Sequence, residues 1–256
     1  FQSAVLLLEE DLKTRGDKPE LEIKSMPDLS YKLWGLHKKK LCIIAARTSQ
    51  GKSLMAINLA WDLAKQGKKI IYLSLEMPIN KIAERIFCID NRFDNFKLLK
   101  NSYNRELTTK QLFNTWKGKY TDSRFILSDC LGRDWDYIEQ IVTNIQSKPD
   151  AIFVDHISEI RGTINQKQAI DDYLSKMRES AIRNNFALVV CSQVNRTAPS
   201  DKTDKEPQLH QLKASGFLEE AADQVILLHW PWHSDNSKPK SEIIINVAKN
   251  RDGMTG

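Results

Sequence analysis

Leu41-Cys-Ile-Ile-Ala-Ala-Arg-Thr-Ser-Gln-Gly-Lys-Ser53 runs from an apolar stretch through a turn of small residues into Gly51-Lys52-Ser53. A helical pattern then opens at Leu54-Met55-Ala56. Strand, phosphate-binding loop and helix follow one another there. The backbone N–H groups of such a loop, with the helix N-terminus behind them, cradle polyphosphate. Lys52 is placed to reach the β- and γ-phosphates of ATP, and the Ser53 hydroxyl to hold Mg2+. The loop departs from G-x-x-x-x-G-K-[ST] where Ala46 stands in place of the first glycine. Ala46, Arg47, Thr48, Ser49, Gln50, Gly51, Lys52, Ser53 and Leu54 are therefore the expected nucleotide contacts.

Outward from this loop, strand-like and helical patterns alternate. Strands are expected at 41–45, 70–75, 125–128, 151–155, 187–192, 224–229 and 242–248. Helices are expected at about 52–65, 79–91, 109–117, 135–147, 166–184 and 209–222, with Asp134 as N-cap of the fourth. This order predicts an α/β fold whose mostly parallel central sheet carries helices on both faces. Ligands on such sheets bind at the carboxyl ends of the strands. Residues 4–14 read as a short helix with an apolar face, either docking on a neighbour or packing in this domain. The stretches 196–207 and 230–240 are the most loop-like.

A chain of 256 residues is long enough for one large core. Its formal net charge of +5 permits a nucleic-acid partner but equally suits a solvated basic surface. Cys42, Cys88, Cys130 and Cys191 are far apart and form no C-x-x-C, which favours a reducing, cytoplasmic compartment. No apolar run approaches a membrane span and no signal peptide is visible, so no membrane association is expected. The start at Phe1 and the stop at Gly256 suit a domain taken from a longer protein, or one with its disordered ends lost.

Further motifs follow strand ends. In Leu73-Ser-Leu-Glu76-Met77, the Glu76 carboxylate would polarise the water attacking the γ-phosphate; a capping or surface glutamate is the plainer alternative. Ala151-Ile-Phe-Val-Asp155 is an apolar strand ending in aspartate, the Walker B pattern that organises magnesium. Leu188-Val-Val-Cys-Ser-Gln193-Val-Asn195-Arg196 offers Gln193 as a sensor of the γ-phosphate. Ile243-Ile-Ile-Asn-Val-Ala-Lys249-Asn-Arg251-Asp-Gly253 sets Lys249 and Arg251 on one strand face, as an arginine finger in trans or simply a basic edge.

Together these stretches resemble the motor domain of DnaB-type replicative DNA helicases, which is RecA-like. The phosphate loop with its alanine, Ser-Leu-Glu-Met, the aspartate strand, Ser-Gln-Val-Asn-Arg and Lys-Asn-Arg-Asp-Gly-Met-Thr-Gly occur in that family's order over about residues 24–256. Leu209-His-Gln-Leu-Lys-Ala-Ser-Gly-Phe-Leu-Glu-Glu-Ala-Ala-Asp-Gln-Val225 is a further match. The resemblance implies a linker segment at 1–23 and a RecA-like P-loop ATPase domain at 24–256. It implies Glu76 as catalytic carboxylate, Lys52 and Ser53 on phosphate and magnesium, Asp155 on the metal and Gln193 as sensor. Lys249 and Arg251 would act on the adjacent subunit's nucleotide. Lys213, Ser215 and Gly216 would bind DNA, although Ala214 departs from a family glutamate. A hexameric ring, single-stranded DNA, a primase and a helicase loader are the implied partners, and 5′→3′ movement the implied direction. A RecA-like recombination ATPase and a non-catalytic, loader-associated ATP-binding ring remain the alternatives. Thr48, His156 and Trp230 stand where proline, tyrosine and arginine are usual; Trp230 could stack on the adenine, but core or surface packing is its preferred role.

Overall fold

The structure, a computed structural model, describes residues 5, 6, 9, 13, 16–100, 107–119, 124–143, 148–159, 166–194, 206–212 and 216–256. Its strands are β1 (Leu41–Ala46), β2 (Ile70–Ser74), β3 (Phe125–Asp129), β4 (Ala151–Asp155), β5 (Ala187–Gln193), β6 (Gln224–His229) and β7 (Ile244–Asn250). They form one sheet in the order β3-β2-β4-β5-β1-β6-β7. Every neighbouring pair is parallel except β6–β7, which is antiparallel. The helices are α1 (Pro27–Leu33), α2 (Lys52–Lys65), α3 (Ile79–Asn91), α4 (Asn95–Leu99), α5 (Leu107–Lys119), α6 (Trp135–Thr143), α7 (Gln166–Asn184) and α8 (Gly216–Ala221).

Strands buried on both faces have unbroken apolar sequences, and β1, β2, β4 and β6 are buried along their whole length. Alternate residues feed two separate cores. Cys42, Ile44, Tyr72 and Phe153 pack with α1, α2 and α3 on one face. Leu41, Ile43, Ile71 and Val154 pack with α6, α7 and α8 on the other. Leu21 and Ile23 join the first core at zero exposure. The cysteines are free thiols, and burial pushes the Cys42 thiol up to about 12.

Asp134 caps α6, accepting the Tyr137 backbone N–H at 3.1 Å. The short helices α1 and α4 answer to no sequence expectation. α1 has Pro at its first position, Asp28 in its first turn and a left-handed end at Trp34. Gly35 follows at φ +73°, where a Cβ would lie 2.6 Å from the Leu21 carbonyl oxygen. The helix expected over 209–222 is instead a 3-10 turn at Leu209–Gln211 followed by α8. The Gln211 side chain accepts the Gln208 N–H at 2.8 Å and helps close that turn. β7 lies two residues later than its apolar run suggests, because its polar end pairs with the polar start of β6, Asn250 opposite Gln224.

Candidate nucleotide site

β1 delivers the chain to Thr48, and the loop turns back through Ser49 at φ +62° and Gly51 at φ +89° into α2. The first α2 bond runs from the Met55 N–H to the Gly51 carbonyl. The amides at the start of α2 have no acceptor within the helix, which suits an anion. Above them opens a cavity of about 680 Å³, lined by every residue from Thr48 to Leu54. Ala46 lies beneath the loop as the buried end of β1. Arg47 connects the two.

The floor is set by neighbouring strands. Ser53 donates through Oγ to Asp155 Oδ1 at 3.2 Å, and Tyr72 donates its hydroxyl to Asp155 Oδ2 at 2.8 Å. Burial, together with the Asp155 charge, holds the Tyr72 phenol well above its usual range, so it stays a donor. A hydroxyl beside a buried carboxylate is a hard-oxygen pair, the donor type magnesium takes. Gln193 ends β5 opposite Ala46 and donates through Nε2 to Thr48 Oγ1 at 2.7 Å. That bond ties the end of β5 to the loop. Glu76, just past β2, is exposed and lines the same cavity.

Several walls were missed by motif reading. Arg85, Cys88 and Ile89 line the cavity from one face of α3, spaced i, i+3, i+4. That spacing was the available signal. His156, buried and hydrogen-bonded to Ser158, and Glu159 add a polar edge. Trp230, expected to pack in preference to stacking on the adenine, lines the cavity. It donates through Nε1 to the Lys240 carbonyl at 2.9 Å and packs on Trp232 at 5.1 Å between centroids. Packing against Trp232 and lining the cavity are thus joined in one side chain.

Lys249 and Arg251 are not in this cavity's wall. Asn250 is level with Gln224, which in turn is level with Cys42, so the pair lies about 13 Å along the sheet from Ala46. Lys249 donates through Nζ to the Glu219 carbonyl at 2.6 Å and the Glu220 carbonyl at 3.4 Å. Arg251 donates through Nη2 to the same Glu220 carbonyl at 2.7 Å and through Nη1 to Asp223 Oδ1 at 3.2 Å. Both cations therefore sit on the C-terminal end of α8. Burial, with the Arg251 charge, lowers the Lys249 ammonium below the ordinary lysine range. Lys213 and Ser215 lie outside the described residues, and Gly216 is the first residue of α8. Among the described residues, no helix is long and apolar enough to cross a membrane.

A family model described as the DnaB-like helicase C terminal domain matches residues 24–256. A probable plasmid replicative DNA helicase of Chlamydia psittaci is 29% identical over 226 residues, covering 85% of this chain and 48% of that protein. The replicative DNA helicase DnaC of Bacillus subtilis is 25% identical over 230 residues, covering 87% of this chain and 50% of its own. The chain spans about half the length of the curated relatives it matches. Among solved structures, a DnaB-like replicative helicase described with its interactions with primase superposes with a TM-score of 0.86 at 21% identity, covering 99% of this chain and 64% of that one. A second solved structure, an ATPase domain, gives 0.85 at 20% identity, covering 100% of this chain and 92% of that one. At these identities the superpositions establish the fold: a seven-stranded, mostly parallel sheet of the same architecture.

Proposed function

This chain belongs to the DnaB-like helicase C-terminal domain family, and on that premise we propose that it is the ATP-hydrolysing motor of a hexameric replicative DNA helicase. One observation carries the proposal. A phosphate-binding loop, the Ser53–Asp155 pair and Glu76 converge on one cavity, while the Lys249–Arg251 pair lies well outside it. A site so divided is completed by a neighbouring subunit.

The loop amides and Lys52 bind the phosphates. Ser53 and Asp155 would hold magnesium, which would supply charge neutralisation at the phosphates. Glu76 accepts the proton of the attacking water, and Gln193 reports the γ-phosphate to Thr48 and the loop. Lys249 and Arg251 of an adjacent copy meet the charge that develops on the phosphoryl oxygens. Such a contact is heterologous and closes into a ring or a short spiral. Lys213, Ser215 and Gly216 hold single-stranded DNA by its phosphates, without base readout. A primase, a loader, a cytoplasmic setting and 5′→3′ movement complete the proposal by family membership.

The deciding measurement is ATP hydrolysis by the full-length protein against its concentration, with and without single-stranded DNA. Turnover rising more than linearly with protein, and again with DNA, is expected of a shared-site motor. Linear, DNA-insensitive turnover by assembled rings would refute the proposal. Lys213→Ala is expected to weaken single-strand binding and flatten the log–log salt slope by about 0.7. Unchanged binding would remove that residue from the DNA path.

Trp230 supplies a flat face at the cavity rim, held by its bond to the Lys240 carbonyl. We propose that the adenine stacks on it. Stacking on an aromatic ring is worth roughly 1–3 kcal/mol per base. Trp230→Ala is therefore expected to raise the KM for ATP by about 5- to 150-fold with kcat little changed. An unaltered KM would discard the platform.

A further inference from the structure

Asp223 is a carboxylate buried between elements that the nucleotide chemistry does not touch directly. It is only 6% exposed and sits between α8 and β6. Its Oδ2 accepts the Leu41 N–H at 2.9 Å, and its own N–H donates to the Leu41 carbonyl at 2.9 Å. That pair of hydrogen bonds fixes Asp223 to the start of β1, the strand that ends in the phosphate loop. Its Oδ1 faces the other way. There it accepts Arg251 Nη1 at 3.2 Å and lies 3.7 Å from Arg178 Nη2 of α7. The Asp223 carbonyl also accepts the Arg251 N–H at 3.0 Å. One residue thus holds Arg251 by backbone and by side chain.

We infer that Asp223 is a positioning residue for hydrolysis: it anchors one edge of the Arg251 guanidinium so that the opposite edge, and Lys249 beside it, are presented to the nucleotide of the adjacent subunit. The inference rests on the in-trans assignment made above. The Asp223 and Glu220 bonds occupy part of the Arg251 fork, and the remaining donors are available to a second acceptor. Arg251 is 47% exposed at its side chain, so it is anchored without being enclosed. A long side chain fixed at two points loses little further freedom when it meets phosphate, which is the basis of preorganised charge stabilisation. Lys249 shares the Glu220 carbonyl with Arg251 and is registered by the same anchor.

The test uses full-length protein assembled as rings and Asp223→Asn, whose amide oxygen still has an acceptor to offer Leu41. Turnover at saturating ATP and single-stranded DNA is expected to fall about 10- to 100-fold, with KM for ATP within about twofold of the parent. Mixing with Glu76→Gln protein is expected to restore part of the turnover. The Asp223→Asn subunit keeps an intact cavity and would borrow a sound Arg251 from its neighbour. Parental turnover in Asp223→Asn rings would overturn the inference. So would a loss that Glu76→Gln does not rescue although it rescues Arg251→Ala, because the lesion would then lie in the variant's own cavity. If Arg251→Ala itself is not rescued, the in-trans assignment is what fails. Should Asp223→Asn not assemble, Asp223→Glu keeps the charge while displacing the carboxylate. It carries the same expected loss and rescue, and the same overturning results.

Discussion

Alanine at Arg251 is expected to lower ATP turnover by about 10³-fold or more, the scale of an arginine finger, while nucleotide affinity stays near that of the parent. The expectation follows from where the residue sits. Arg251 is bonded to Glu220 and Asp223, outside the cavity wall. Removing it leaves the loop, Lys52 and the Ser53–Asp155 pair of the same subunit untouched. Binding is then spared and only the step that develops charge suffers. Rings mixed from Arg251→Ala and Glu76→Gln subunits provide the check. Neither variant hydrolyses alone, yet an Arg251→Ala cavity beside a Glu76→Gln subunit has both Glu76 and a neighbouring arginine. Partial recovery of turnover is expected. Mixed rings that stay inactive, once their assembly has been verified by mass measurement, would refute the shared site.

Phe153→Ala carries the largest expected effect on stability. Phe153 is fully buried in β4, and its ring stacks on Tyr72 with centroids 6.1 Å apart and planes 10° apart. Deleting a buried aromatic ring removes about 3–5 kcal/mol through lost transfer energy and the cavity left behind. A domain of this kind has only about 5–15 kcal/mol to lose. Urea denaturation of the isolated domain would read the change as a lower midpoint. The same substitution loosens Tyr72, whose hydroxyl holds Asp155, so affinity for magnesium nucleotide is expected to fall as well. A loss below about 1 kcal/mol would mean that neighbouring side chains collapse into the gap.

The seven strands and the longer helices were legible because burial on both faces writes unbroken apolar runs, and helices facing them write a 3.6-residue period. The Asp134 cap was legible for a similarly local reason, a side chain that satisfies its own helix. α1 and α4 were not, since seven and five residues are too few to display a period. The site divides in the same way. Loop, aspartate strand and glutamate are contiguous in sequence and were readable as motifs. Arg85 and Cys88 reach the cavity from the middle of α3, where their i, i+3 spacing marks one helix face but not what that face meets. For Trp230 the sequence left packing ahead of adenine stacking, because its bond to the Lys240 carbonyl, ten residues on, is a tertiary contact. The family likeness named Arg251 and Lys249. What they rest on, Asp223 and the end of α8, is a matter of tertiary packing alone.

The antiparallel run of β7 has a consequence beyond its own edge of the sheet. It carries the chain back toward the opposite end of the strands, so the loop and the Lys249–Arg251 pair occupy opposite ends of one body. A twofold pair, in which each copy lends its Lys249–Arg251 end to the other's cavity, would close at two copies. In the ring proposed above, every copy would instead face the same way around a common axis. Such a ring would have two unlike rims, and a strand threaded through it would meet them in a fixed order. On that proposal, a polarity would be built into the ring before any nucleotide is hydrolysed.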